Sequence, residues 1–276
     1  MVEDYSVAYD AVMSEEIPQA RLFTAAALTE GAAVEPNPGQ AHYLLHVMRL
    51  GNGAGVVLFN GRDGDWLTRI EDANKKTCRL AVMSQLRPQI SEPDLWLAFA
   101  PLKKARTDFI IEKATELGVA RLLPVFTEHT NTERVKSERL AGIAIEAAEQ
   151  CDRLSVPEVA DAVKLSTLIE NWPASRWLLV PDETGGGPPL VDVVAELGNT
   201  KTTMSAGFLI GPEGGFSAAE LDALGKLPFV RRIGLGPRIL RAETAALAVV
   251  SCWQALIGDW TSSPRFNNGY IFNARR

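Results

Sequence analysis

The chain has 276 residues, 46% of them apolar and 7% aromatic, enough to bury one large core or two modest ones. A formal net charge of −6 argues at first sight against a nucleic-acid partner. However, Glu3, Asp4, Asp10, Glu15 and Glu16 fall in an opening stretch without Lys or Arg, and removing these five charges leaves only −1. A nearly balanced body holds phosphate where its cations gather on one face, so charge excludes no class of partner.

Residues 1–18 read as a flexible acidic leader. A short helix is expected over 40–49. The pattern then becomes short and β-like: 56–59 ends in the turn Asn60-Gly61-Arg62-Asp63-Gly64, 66–70 runs to a polar turn at 71–76, and 77–83 follows. Three short strands joined by turn chemistry predict a small antiparallel barrel. Residues 85–94, with Pro88 and Pro93, read as a linker. Thereafter strands and helices alternate. The spacing predicts a strand over 95–100, a helix over 104–117 capped by Gly118, a strand over 121–125, and a helix over 137–151 with one apolar stripe. Further strands are expected at 177–180, 207–210 and 230–235, and Ser217-Ala218-Ala219-Glu220 opens a helix with a capping box. The last helix, about 243–257, is apolar on most sides, which sets it against the sheet, a partner subunit, or both. This alternation predicts a parallel sheet covered on both faces.

Each of the last three strands runs into a loop rich in Gly or Pro: 181–189, Gly211-Pro212-Glu213-Gly214-Gly215, and Gly234-Leu235-Gly236-Pro237-Arg238. In a parallel sheet the ligand crevice lies beyond the carboxyl ends of the strands, and a glycine lets backbone come close to a ligand. One such loop alone is more often an ordinary turn, whereas three in succession point to a shared site. Other chemistries fail on spacing. Gly51-x-Gly53 and Gly234-x-Gly236 lack the third glycine of a dinucleotide fingerprint, and neither a P-loop nor a G-x-S-x-G elbow is present. His42 and His46 stand one helical turn apart without a third ligand, so no metal is expected. Cys78, Cys151 and Cys252 are scattered and odd in number, which points to reduced thiols rather than a disulfide scaffold. No secretory pattern and no run of about 18 apolar residues is evident, so the expectation is a soluble, cytoplasmic protein.

The densest constellation is Leu235-Gly236-Pro237-Arg238-Ile239-Leu240-Arg241-Ala242-Glu243-Thr244-Ala245, with two cations, a carboxylate and a hydroxyl at the start of a buried helix. Helix N-termini favour anions, so two arginines there ask for a reason beyond helix stability. The bland alternative is a surface Arg–Glu pair with a Thr cap.

That segment, together with Leu209-Ile210-Gly211-Pro212-Glu213-Gly214-Gly215-Phe216, closely resembles the RsmE family of 16S ribosomal RNA uridine N3-methyltransferases, in the SPOUT superfamily. Residues 21–23, 42–50, 112–119, 137–140 and 146–151 match as well, and the resemblance spans roughly 19–260. Three positions depart from it: Ala20 replaces a Pro, His129 falls where Arg is frequent, and Asp152 where Gly is common. The resemblance implies an α/β fold, with a SPOUT-type parallel sheet and C-terminal trefoil knot at 94–260. A small N-terminal PUA-like β-barrel domain at 19–88 would precede it, and 261–276 would form a tail. It implies S-adenosyl-L-methionine as cofactor, held by Leu179, Glu183, Gly211, Glu213, Gly215, Leu235, Leu240 and Thr244, largely through backbone. It implies 16S rRNA of the 30S subunit as substrate and a cytoplasmic homodimer without membrane attachment.

Uridine N3 is a poor nucleophile while protonated, so methylation there needs in-line approach and stabilisation of a developing uracil anion. Arginine stays protonated and can stabilise that anion but cannot be the base. Arg241 is assigned to this role and Arg238 to the loop or the RNA. Glu243 is assigned as proton acceptor or as structural partner of Arg241. Arg21, Arg49, Lys103, Lys104, Arg106 and Arg153 are candidates for phosphate contacts. Competing readings are a 2′-O-ribose methyltransferase of the same superfamily and a non-catalytic RNA-binding assembly factor.

Overall fold

The computed structural model describes residues 18–198 and 205–261. Apart from Pro18 and Thr261, the expected leader and tail lie outside the described residues. The described residues divide into two units: one takes 18–91 and 148–156, the other 92–147, 157–198 and 205–261.

The first unit contains β1 (Ala20–Phe23), β2 (Ala33–Val34), α1 (Pro38–His42), β3 (Gly55–Phe59), β4 (Asp65–Glu71) and β5 (Arg79–Arg87). The strands line up β1-β3-β4-β5-β2, antiparallel throughout except for β1, which joins β3 in parallel. The expected three-stranded meander is its centre, and the two short end strands are additions. Leu22, Leu44, Val56, Leu58, Ile70 and Leu80 fill the core, and burial pushes the Cys78 thiol upward in pKa. Asn37 starts α1 with a reciprocal box: its side chain accepts from the Gln40 N–H at 2.9 Å, while the Gln40 side chain accepts from the Asn37 N–H at 3.1 Å. The helix expected over 40–49 keeps α geometry only to His42. Tyr43–Val47 widens into a π turn, and Arg49 ends the run at a left-handed φ of 56°.

β5 extends through Arg87 into what reads as a linker, because Arg87 is held by two carboxylates. It pairs with Asp65 and, at 2.9 Å, with Asp152. Arg21 meets the other Asp65 oxygen at 2.8 Å and donates to the Ala148 carbonyl at 2.8 Å, its guanidinium 3.7 Å from the Phe59 ring centre. Asp152 adopts a φ of +65°, a conformation that glycine takes freely and that Asp tolerates better than most residues. The phosphate-contact expectation for Arg21 and Arg153 is therefore corrected: they are 3% and 6% exposed, with no face toward solvent.

The second unit contains β6 (Leu95–Phe99), α2 (Lys104–Glu116), β7 (Arg121–Phe126), β8 (Glu158–Val159), β9 (Val163–Lys164) and α4 (Leu165–Glu170). It continues with β10 (Trp177–Pro181), α5 (Leu190–Gly198), β11 (Ala206–Ile210), α6 (Ala218–Gly225), β12 (Val230–Ile233) and α7 (Ala242–Leu256). The helix α3 (Ser137–Gln150) follows β7, its last turn belonging to the first unit. The strands run β12-β10-β11-β6-β7-β8, with β9 also on β7, and every pairing is parallel. Leu165 and Leu168 of α4 and Leu224 of α6 cover one face, against Ala98, Leu178, Val180 and Leu209. On the other, Trp253 of α7 meets Phe208 edge-on at 5.8 Å. Gly118 ends α2 at φ +84°, and a Cβ there would lie 2.7 Å from Gln254 Nε2, which donates to the Leu117 carbonyl. Among the described residues no helix is long and apolar enough to cross a membrane.

Arg21→Ala leaves one oxygen of the 1%-exposed Asp65 without its charge partner. Breaking such a buried pair should cost about 3 kcal/mol or more, read from urea denaturation. An unaltered unfolding free energy would contradict this account of the cluster.

Candidate functional site

β12, β10 and β11 are neighbours, and their carboxyl ends are Ile233, Pro181 and Ile210. The three loops that leave them surround a cavity of about 630 Å³, within the range of small-molecule sites. Asp182, Glu183 and Thr184 come from the first loop, Gly211, Pro212 and Glu213 from the second, and Leu235 to Leu240 from the third. Arg241, Ala242 and Ala245 add the start of α7.

The first loop is stitched to β12. The Asp182 N–H donates to the Ile233 carbonyl at 3.0 Å, and the Gly234 N–H to the Pro188 carbonyl at 2.7 Å. The buried Asp182 carboxylate accepts from the Thr184 amide at 2.9 Å and hydroxyl at 2.7 Å, and pairs with Arg232. Gly187 is required there, since a Cβ would stand 2.5 Å from Ile233 N and 2.6 Å from Arg232 C, both backbone atoms. The second loop turns at Gly215, φ +70°, whose N–H reaches the Pro212 carbonyl at 3.0 Å. His129 Nδ1 lies 3.1 Å and 3.2 Å from the Gly214 and Gly215 carbonyls. Carbonyls only accept, so this nitrogen carries the proton. Ser217 then caps α6 through the box read from the sequence. In the third loop Gly236 takes φ +92°, and Arg241 is the N-cap of α7 with no side-chain cap bond.

Of the residues assigned to the cofactor, Glu183, Gly211, Glu213, Leu235 and Leu240 line the cavity. Leu179, Gly215 and Thr244 do not: Leu179 is 0% exposed inside β10, Gly215 is buried in its turn, and Thr244 faces solvent on α7. Arg238 and Arg241 line the cavity, while Arg49, Lys103 and Lys104 are exposed elsewhere. Glu243 pairs not with Arg241 but with Arg106, 3.6 Å away, which also bonds Glu213 at 3.2 Å. Asp182, Thr184 and Pro212 line the cavity within loops that the sequence pointed to, whereas Ile210, at the end of its strand, and the Arg232 tie were missed. The only signal for Ile210 was its place directly before the second loop.

Residues 90–254 match the model of an RNA methyltransferase domain, and residues 36–83 that of an RNA methyltransferase PUA domain. The molecule is thus an RNA methyltransferase with a parallel α/β core. Ribosomal RNA small subunit methyltransferase E of Rickettsia conorii is 31% identical over 232 residues, which are 84% of this chain and 93% of that protein. The chain belongs to the ribosomal RNA small subunit methyltransferase E family. The Neisseria gonorrhoeae member, solved bound to S-adenosyl methionine, superposes with a TM-score of 0.79 at 25% identity, covering 88% of this chain and 99% of that one. A Legionella pneumophila methyltransferase solved in complex with the same cofactor gives 0.77 at 28% identity, covering 87% and 98%.

Because the Gly187 Cβ would meet backbone rather than a movable side chain, Gly187→Ala should lower stability by about 1–3 kcal/mol in urea unfolding. Gly225→Ala, at the end of α6 with nothing within 4 Å, should leave stability unchanged or slightly raised. Equal effects would refute the close-approach argument.

Proposed function

We propose that the chain transfers a methyl group from S-adenosyl-L-methionine to N3 of a uridine in 16S rRNA of the 30S subunit. The observation that carries the reading is one cavity that joins three glycine-rich loops to Arg241, the N-cap of α7. The lining suits that cofactor: Leu235, Leu240 and Ile210 offer apolar surface, Glu183 and Glu213 offer negative charge, and the loops offer backbone polar groups. When bound, the cofactor supplies an electrophilic methyl group on a sulfonium. Glu183, Gly211, Glu213, Leu235 and Leu240 would hold it. Arg241, beside them, stabilises the negative charge that gathers on the uracil. Arg49, Lys103, Lys104 and Arg238, exposed cations, take RNA phosphates, and the PUA unit adds RNA affinity.

The same reading extends to a trefoil knot in the second unit, to a cytoplasmic location, and to a homodimer. Most of the apolar surface of α7 is spent inside its own chain. Ala246, Val249, Val250 and Trp253 of α7 are buried within their own chain. Support comes instead from Leu256, Ile257 and Trp260 near the end of α7 and Val191 on α5, large apolar side chains left 37–53% exposed. Light scattering at micromolar concentration should give twice the chain mass, and a monomer would end this part of the proposal.

The decisive assay is single-turnover methylation of undermethylated 30S subunits, with the product identified as N3-methyluridine. Arg241→Ala should lose on the order of 10²–10³ in rate, the usual cost of one charge-stabilising donor, while calorimetry shows cofactor affinity largely retained. A wild-type rate in that variant would remove Arg241 from the chemistry.

A further inference from the structure

The apolar residues in the cavity wall differ sharply in exposure. Ile210, at the end of β11, is 3% exposed, and Leu235 and Leu240 are half-buried. Ile239 lines the same cavity yet is 86% exposed, against 60% or less for the other large apolar residues that the described chain leaves in solvent. Ile239 therefore stands at the rim, outside the three apolar residues that suit the cofactor. Arg238 and Arg241, on either side of it in sequence, are exposed and line the cavity too.

The segment that presents Ile239 is anchored at both ends. The Gly234 carbonyl accepts from the Leu190 N–H at 3.1 Å, and the Arg241 carbonyl accepts from the Ala245 N–H at 2.8 Å as α7 begins. Between these points Pro237 fixes one backbone angle. The side chain is itself branched at Cβ, so it has little rotamer freedom to lose when something packs on it.

Uracil makes a demand that this rim can meet. N3 lies on the edge of the ring that pairs with another base, so a methyl group reaches it only when the base is unpaired and turned out of its stack. A base in that state has lost contacts on both faces, and protein sites restore them with aromatic or aliphatic side chains. Among the described residues no aromatic side chain lines this cavity. Ile239 is the largest exposed apolar side chain in the wall, and covering it removes apolar surface from water.

We propose that Ile239 packs against one face of the target uracil at the mouth of the cavity and sets the plane in which the base is held. This rests on the methyl-transfer reading above. In-line approach of N3 to the methyl group needs such a fixed plane, and Arg241 then meets the edge of a base already oriented. The contact is to substrate alone, so it bears on capture of the base and not on affinity for the cofactor.

The test compares full-length Ile239→Ala, Ile239→Phe and Ile239→Lys with the wild type. Single-turnover methylation is followed over a range of 30S subunit concentrations, calorimetry gives affinity for S-adenosyl-L-methionine, and light scattering gives the mass. Ile239→Ala should lower the apparent kcat/KM about tenfold, the low end of what one lost stacking contact costs. Ile239→Phe, which offers a flat face, should stay within about threefold of wild type. Ile239→Lys should stay below the wild-type rate, because a cation cannot replace apolar cover. All three should bind the cofactor within about twofold of wild type and keep its mass. The position is exposed, so none of the substitutions threatens the fold. Cofactor affinity that falls in step with the rate would put Ile239 in the cofactor wall, and a change of mass would put it against a second copy of the chain; either overturns the inference. So does a wild-type rate in Ile239→Ala, or a gain in Ile239→Lys, which would place RNA backbone at this point. An inactive wild-type chain strikes the methyl-transfer reading itself, whereas an active one beside an indifferent Ile239→Ala strikes only this inference.

Discussion

The cavity depends on the parallel pairing of β10 with β12 on one side and β11 on the other. Leu178 to Pro181 lie level with Val230 to Ile233, and Trp177 to Leu179 with Ala206 to Phe208. This register brings together three chain segments that are far apart in sequence and aims all of them past the same sheet edge. The strands beneath are almost fully buried, so the loops stand on a platform with little freedom to shift. The first loop prolongs that pairing beyond the sheet through the bridge between Pro189 and Gly234. Backbone geometry, more than side-chain identity, gives the site its shape.

Ion pairs then set what the backbone leaves open. Asp182 with Arg232 ties the first loop to β12, and Arg106 with Glu213 and Glu243 ties the second loop to α7. Where both partners are partly exposed, as in Arg106 with Glu213, such a pair adds little to global stability. The value of these ties is local, since each removes a hinge from a segment that would otherwise open readily. The Arg21, Asp65, Arg87 and Asp152 cluster differs, because Arg21 and Asp65 are withdrawn from water and losing one partner strands the other.

Sequence reading caught features that a few neighbouring residues determine. The Ser217 capping box, the Gly118 helix stop and the three glycine-rich loops each need only local chemistry, and each is present. It failed where two residues suffice for a strand, as at β2, β8 and β9, since no periodicity exists over so short a run. Long-range pairs were equally hidden. Nothing near Arg21 announces Asp65, and nothing near Arg106 announces Glu243. Both arginines were read as surface cations, the default for a charged residue without a visible partner. Leu179 was misplaced for a related reason: an inward strand position two residues short of the strand end belongs to the core, and register decides this, not residue type. Asp152 is a partial exception, because a position where glycine is common already hints at a left-handed backbone.

The arginines turned inward bear on how this protein finds its substrate. Arg21, Arg87, Arg106, Arg176 and Arg232 each neutralise a carboxylate of their own chain and project almost no field outward. The molecule as a whole keeps its net −6. At long range the body, near −1 without the acidic opening stretch, offers an RNA little field of either sign, and attraction begins within about 8 Å of an exposed cation at physiological salt. Encounter is then a matter of random collision and orientation, with rates nearer about 10⁵–10⁶ M⁻¹s⁻¹ than the steered limit. Selection of the correct RNA falls to contacts made after touching, not to capture from a distance.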